Sequence, residues 1–127
     1  MLIDRDIITR NNVKIIGAGK QVMLMAHGFG CNQQMWRFLI PELSEHYKIV
    51  LFDYVGSGES NLAAYSKQKY ADLDGYAQDI IDICNTLDLQ DVILVGHSVS
   101  GIIGLIAAQK IPHRIHITTS FSNHPVN

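Results

Sequence analysis

Several features that often point to a function are scarce in this 127-residue sequence. Its two cysteines, Cys31 and Cys84, could form one bridge, but their number and spacing fit neither a disulfide framework nor a zinc motif, so free thiols are predicted. Lys and Arg are scattered and the net charge is −2, which argues against binding to nucleic acid or to an anionic membrane. No metal or cofactor is expected.

The sequence also has no long apolar run. None reaches the roughly 18 residues that a membrane-spanning helix needs, and the first ten residues lack the basic and apolar regions of a signal peptide. A cytoplasmic protein is therefore expected. With 47% hydrophobic and 17% charged residues, the chain is more apolar than an average domain and should bury an extensive core. No repeat or linker is evident, so residues 1–127 are predicted to be a single domain.

Short apolar runs alternate with segments of helical periodicity. The runs are continuous, which is typical of strands covered on both faces. Strands are predicted at 22–26, 48–53 and 91–96, and helices at 33–46, 72–87 and 99–110. This alternation predicts an α/β fold with a mostly parallel sheet and flanking helices.

Three segments have weaker patterns. Asn11 and Asn12 are predicted to form the turn of a hairpin between two short strands, because Asn tolerates a positive φ. Pro41 is expected to bend or interrupt the helix at 33–46. Residues 115–119 could form at best a half-polar edge strand.

A serine lies between the third strand and the third helix, in the sequence GHSVS at 96–100. An abrupt strand-to-helix turn strains the nucleophile and requires small residues two positions away on each side, and Gly96 and Ser100 satisfy this. The N–H of Val99, at the positive end of the helix, would then face a developing oxyanion. The alternative is that Ser98 merely caps the helix.

Two further motifs follow the first two predicted strands. The sequence HGFG at 27–30 offers a second oxyanion donor, for which the Phe29 amide is the candidate. A glycine turn with a capping histidine is the alternative. The sequence DYVGSGES at 53–60 is interpreted as structural, holding the loop beside the site.

Together, in this order and at these intervals, the three motifs resemble the α/β-hydrolase superfamily. The residues in and around these motifs resemble one branch of that superfamily. This branch contains the bacterial hydrolase of sigma-B energy-stress regulation and the plant strigolactone and karrikin receptors. The resemblance covers about residues 7–115. It implies that Ser98 is the nucleophile, that Phe29 and Val99 supply oxyanion-hole amides, and that no cofactor is used. Supporting positions would be His27, Gly28, Gly96, His97 and Ser100.

The acid of a catalytic triad is missing from the expected position. In this fold the order is Ser, then Asp or Glu, then His, yet no acidic residue follows Ser98. His113, His116 and His124 follow it too closely to match the family's base. The expectation is an N-terminal half of a hydrolase domain, with a diverged tail at 116–127 that arose from a frameshift, a premature stop or a gene-model error.

Three functions are compatible with these observations. The first is a serine hydrolase that acts on a small apolar ester or lactone-like signal. The second is a non-catalytic signalling component that activates a partner phosphatase. The third is a non-functional truncated product, in which an uncovered sheet edge and the apolar helix favour aggregation.

Overall fold

The computed structural model describes residues 4–118 and contains one five-stranded sheet with helices packed on both faces. Three short 3-10 helices, at Gln33–Trp36, Leu62–Ala64 and Lys69–Ala71, lie in the loops. The helices are α1 (Arg5–Arg10), α2 (Ile40–Leu43), α3 (Leu73–Thr86) and α4 (Ser100–Lys110), and the strands are β1 (Lys14–Ile16), β2 (Gln21–Ala26), β3 (Tyr47–Leu51), β4 (Val92–Gly96) and β5 (Ile115–Thr118).

The sheet has the order β1-β3-β2-β4-β5, and every pair except β1 with β3 is parallel. In the centre of the sheet, Leu24 pairs with Val50 on one side and with Leu94 on the other. The predicted α/β fold with a mostly parallel sheet is confirmed. Because β2 and β4 run parallel as neighbours, the loops that follow them emerge at the same edge of the sheet.

Alternating side chains of the strands build a core on each face. Leu24 and Leu94 point to the face covered by α3 and α4, where Ile80, Ile83 and Ile103 are fully buried. Met23, Met25 and Ile49 point to the other face, against Trp36 and α2. Burial of one such aliphatic side chain contributes about 1.5–3 kcal/mol.

The apolar helix α4 is covered on one side within the described residues. Gly104 lies against the sheet so closely that a Cβ there would be 2.6 Å from Leu94 Cδ2. Ile102 and Leu105, on the other side, are 57% and 52% exposed. A helix that is apolar on nearly all sides is expected to pack against neighbours on more than one side. Within residues 4–118, neighbouring elements cover only one side of α4.

The predicted hairpin around Asn11 and Asn12 is wrong. The first of its strands is instead helix α1, capped by Asp4, whose side chain accepts a hydrogen bond from the Asp6 N–H. Asn12 does adopt the positive φ, +46°, that its identity suggests. It leads the chain out of a helix, and the following strand β1 pairs with β3 rather than with a hairpin partner.

The helix predicted at 33–46 is interrupted, as expected, but the break comes before Pro41 rather than at it. One 3-10 turn and the one-turn helix α2 occupy the segment, separated by a turn at 37–39. Pro41 lies in the first turn of α2, where its missing N–H leaves no hydrogen bond unmade. A continuous helix would need that N–H to reach the carbonyl of Arg37.

The remaining elements agree with the sequence patterns to within a few residues. The half-polar strand predicted near 115 is β5, at the edge of the sheet, while residue 119 and His124 lie outside the described residues. Both cysteines are free thiols, as predicted. Among residues 4–118, no helix has the length and apolar character needed to cross a membrane.

Candidate active site

Ser98 occupies a strained turn between β4 and α4. Its φ is +59°, in the left-handed region that costs an L-residue about 1–2 kcal/mol. A Cβ on Gly96 would lie 2.8 Å from the backbone carbonyl atoms of Ser100. The requirement for a small residue at position 96 therefore has a direct steric cause, and the turn presents an exposed Ser98 side chain.

Two backbone amides beside this turn are free to donate. Val99 immediately precedes the first residue of α4, and Phe29 lies in the loop that follows β2. Within residues 4–118, neither N–H donates to a backbone acceptor. Such donors can stabilise an oxyanion, and the dipole of α4 adds to the effect at Val99.

The direction of the Phe29 amide is fixed by its own peptide group. The Gly28 carbonyl accepts hydrogen bonds from His27 Nδ1 (2.7 Å) and from the Cys31 N–H (3.1 Å). The peptide is trans, so the Phe29 N–H points opposite to that carbonyl. The Phe29 N–H therefore points away from the His27 ring and the Cys31 N–H, which hold the Gly28 carbonyl.

His27 has one defined tautomer. Its Nε2 accepts a hydrogen bond from the Tyr54 N–H at 3.1 Å, so Nδ1 carries the proton that is donated to Gly28. The ring is fully buried, and this burial lowers its pKa below the ordinary value of 6.5. His27 is thus neutral near pH 7 and supports the loop through its hydrogen bonds with Gly28 and Tyr54.

Ser100 joins the helix to the same loop. Its hydroxyl is 2.5 Å from the His27 carbonyl oxygen and 2.5 Å from the hydroxyl of Tyr54. All three residues are buried, and burial raises the pKa of the Tyr54 hydroxyl. The sequence motifs did not indicate Tyr54, because its partner is 46 positions away along the chain.

His97 connects the elbow to β2 and explains a glycine in the opposite loop. Its N–H donates to the Ala26 carbonyl at 3.0 Å. A Cβ on Gly28 would lie 2.6 Å from His97 Nδ1, an atom that is buried without a hydrogen-bond partner in the described part of the chain. Gly28 is therefore required by the close approach of this ring.

Asp53 holds the neighbouring loops together, as predicted. Its Oδ1 accepts from the Gln33 N–H (2.8 Å), and its Oδ2 accepts from Asn12 Nδ2 (3.0 Å) and the Glu59 N–H (2.9 Å). Gly58 passes so near that a Cβ would be 2.4 Å from this carboxylate. Both carboxylate oxygens are thus held by donors from neighbouring loops, which gives Asp53 a structural role.

Aromatic side chains line a groove beside the loop that follows β2. The Phe29 ring packs against Tyr54 and Tyr76, with centroid distances of 5.9 and 5.2 Å. The groove has a volume of about 280 Å³ and is lined by Phe29, Gly30, Val55, Gly56, Ser57, Tyr65 and Tyr76. A groove of about 440 Å³ between α1, β1 and Leu87 shares no residue with the elbow or this loop.

A buried ion cluster anchors the wall of this groove. The carboxylate of Asp79, on α3, contacts Lys69 Nζ (2.7 Å), Arg10 Nη2 (3.2 Å) and the Tyr70 hydroxyl (2.6 Å). Tyr70 stacks on Tyr65 at a centroid distance of 5.6 Å. The loop after β3 is therefore tied to α1 and α3 by a fully buried carboxylate.

Among residues 4–118, neither of the two histidines after Ser98, His113 and His116, forms a catalytic pair with it. His113 is exposed, and His116 Nε2 lies 2.7 Å from Asp91 Oδ1. Asp91 precedes β4 whereas Ser98 follows it, and five strand residues at about 3.3 Å each put the two ends about 16 Å apart. Among residues 4–118, no three His, Cys, Asp or Glu side chains cluster as a metal site would require.

Comparison with known proteins agrees with this geometry. A family model described as alpha/beta hydrolase fold matches residues 21–125. The chain belongs to the α/β-hydrolase family. The elbow, the loop after β2 and the parallel sheet that positions them are the parts of that fold present here.

Individual relatives of this α/β hydrolase include plant receptors and esterases. A karrikin insensitive 2 receptor of Petunia hybrida is 45% identical over 102 residues, which cover 80% of this chain and 38% of the receptor. A strigolactone esterase of Arabidopsis thaliana is 36% identical over 107 residues, 84% of this chain and 40% of the esterase. The chain thus spans about two fifths of the length of the curated relatives it matches.

A solved structure gives the same result. A hydrolase from Oleispira antarctica superposes with a TM-score of 0.88 and 46% sequence identity, covering 92% of this chain and 44% of that one. The matched region therefore has the fold of the corresponding part of a hydrolase.

Proposed function

We propose that this chain carries the nucleophile and oxyanion hole of a serine hydrolase that cleaves a small apolar ester or lactone. The observation that carries the proposal is the left-handed Ser98 at the end of β4, beside the free amides of Val99 and Phe29. A serine that only capped α4 would not require this strained backbone. The site-supporting contacts of His27, Gly28 and Ser100 all serve the same loop.

In the proposed reaction, Ser98 Oγ attacks the carbonyl carbon of the substrate and loses its proton to a base. The carbonyl oxygen becomes an oxyanion and accepts hydrogen bonds from Phe29 and Val99. Collapse of this intermediate expels the alcohol and leaves an acyl-serine, which water then hydrolyses. With a lactone, the expelled alcohol stays tethered to the acyl group.

The acid and the base are assigned to residues of a longer protein. No acidic residue follows Ser98 within these 127 residues, whereas the matched relatives extend well beyond the shared region. A serine hydroxyl without a base is a weak nucleophile, so the 127-residue chain alone is expected to be slow.

The substrate class is inferred from the relatives and from the surroundings of Ser98. Two of the relatives are named a strigolactone esterase and a karrikin insensitive 2 receptor. Phe29 and Val99, which carry the proposed oxyanion amides, have apolar side chains, and among residues 4–118 no charged side chain lines the adjacent groove. A small uncharged carbonyl compound fits this environment better than an ionic one.

The DNA downstream of the codon for Asn127 is first translated in all three reading frames, and the chain is lengthened with the continuing sequence. The test then measures hydrolysis of p-nitrophenyl acetate by this lengthened chain. Ser98→Ala is expected to reduce kcat at least about 1000-fold, since the nucleophile is lost. Ser44→Ala is the matched control, because the Ser44 hydroxyl donates to the Pro41 carbonyl at the end of α2, outside the elbow and the groove, and the variant is expected to retain activity. Equal rates for wild type and Ser98→Ala would refute the proposal.

A signalling role is the second candidate, favoured by relatives that are themselves named receptors. In this form the protein, like the sigma-B regulator that its motifs resemble, would bind a regulatory phosphatase and activate it. Pull-down of such a phosphatase by wild type and by Ser98→Ala separates the two roles. Capture that is independent of Ser98, with no esterase activity, would favour the signalling role alone.

A further inference from the structure

In the G-x-S-x-G pattern of a nucleophile elbow the last position is glycine, whereas this chain has Ser100 there. Ser100 is fully buried, and its hydroxyl lies between the His27 carbonyl and the Tyr54 hydroxyl at 2.5 Å from each. A side chain that merely filled space would need no such polar partners. The contacts therefore suggest a task specific to the hydroxyl.

The direction of these hydrogen bonds follows from counting protons. The His27 carbonyl can only accept, so the single proton of the Ser100 hydroxyl is donated to it. The Tyr54 hydroxyl must then donate to Ser100 Oγ. The chain runs from Tyr54 through Ser100 to the backbone of the oxyanion loop, and each member is satisfied.

This chain of hydrogen bonds fixes the peptide group before Gly28. The next peptide group, between Gly28 and Phe29, is fixed by the His27 ring and the Cys31 N–H. Two consecutive peptide planes are therefore constrained. Since Ser100 directly follows Val99, its hydroxyl links the helix that presents one oxyanion amide to the loop that presents the other.

We propose that Ser100 and Tyr54 are positioning residues that hold the amides of Phe29 and Val99 in a fixed relation to Ser98. The inference rests on the proposed hydrolase function and deepens it. Both residues are buried, and their hydroxyls are engaged in these hydrogen bonds. Their effect is on the orientation of the oxyanion donors, on which the stabilisation of the tetrahedral intermediate depends.

The kinetic test compares Ser100→Ala and Tyr54→Phe with wild type in the lengthened chain. Loss of an oxyanion donor costs about 100- to 1000-fold in kcat, and a displaced donor costs part of that. Ser100→Ala is expected to lower kcat about tenfold or more and to leave KM within about twofold, because ground-state binding does not use the oxyanion hole. An unchanged kcat in Ser100→Ala would overturn the inference.

A double variant distinguishes positioning from general stability. In Ser100→Ala the buried Tyr54 hydroxyl loses its partner, so adding Tyr54→Phe is expected to recover part of the lost Tm. The same addition cannot recover kcat, since the His27 carbonyl still lacks its donor. Recovery of kcat together with Tm would show that both residues act only through stability and would refute positioning.

A third measurement needs no activity and uses the 127-residue chain. Relaxation-dispersion NMR of the Gly28 and Phe29 amides reports motion of the loop on the microsecond-to-millisecond timescale. Ser100→Ala is expected to introduce exchange at both amides, while Ser98→Ala, in the same turn, leaves them as in wild type. Unchanged dispersion in Ser100→Ala would contradict the inference even if Ser98 proved to be catalytic.

Discussion

Replacing Ser98 by glycine should stabilise the protein while removing the proposed nucleophile. At φ +59° a residue with a Cβ carries about 1–2 kcal/mol of strain. Glycine relieves this strain, but its freer unfolded state costs about 0.4–1 kcal/mol. The net gain relative to Ser98→Ala, which also lacks the hydroxyl, is about 1 kcal/mol.

Urea unfolding of the three proteins, followed by circular dichroism, measures this difference. A gain of 1 kcal/mol corresponds to about 4 °C in Tm for a domain of this size. The control pair is Ser57→Gly and Ser57→Ala, because Ser57 is not among the residues with positive φ. There glycine should be the less stable by about 0.5–1 kcal/mol. If Ser98→Gly were no more stable than Ser98→Ala, the turn would not store strain and the argument for an elbow would fail.

Two more predictions concern buried charge. Because burial lowers the pKa of His27, the unfolded chain binds a proton on this side chain more readily than the folded chain does. The free energy of unfolding should therefore fall as the pH drops below about 6.5, by at most about 1.4 kcal/mol per pH unit. In urea titrations from pH 7 to 5, His27→Asn should reduce this pH dependence. Asp79→Asn should lower the free energy of unfolding by about 3 kcal/mol, since it leaves two cations facing a neutral amide. Asp82→Asn is the control, because it removes a partly exposed ion pair and should cost less than about 1 kcal/mol. Equal losses of stability in the two variants would contradict a special role for the buried carboxylate.

The strands and the elbow were predictable because their signals are local. Continuous apolar runs marked the three central strands, and GHSVS marked the strained turn. Helix α1 was missed because distant partners help to hold it. The Asp4 N–H donates to Thr86 Oγ1, and Arg10 pairs with Asp79 and Asp82, contacts that no local pattern reveals.

The same distinction applies within the site. The amides of Phe29 and Val99 could be proposed from motif order alone, since parallel strands bring their following loops to one edge. Tyr54 could not be found this way, because its hydroxyl acquires a role only when the loop after β3 meets the first residue of α4. Hydrogen-bond chains between distant segments depend on tertiary geometry that periodicity does not encode.

The contacts of Asp53 limit how this site can be redesigned. One carboxylate ties the segment after α1, the loop before Gln33 and the loop before Glu59. A library that varies the groove loop near Glu59 will therefore also disturb the backbone that leads into α2, although the two segments are far apart in sequence. Selection for a new substrate should proceed most readily at Tyr65 and Val55, which line the groove and contribute no group to that carboxylate.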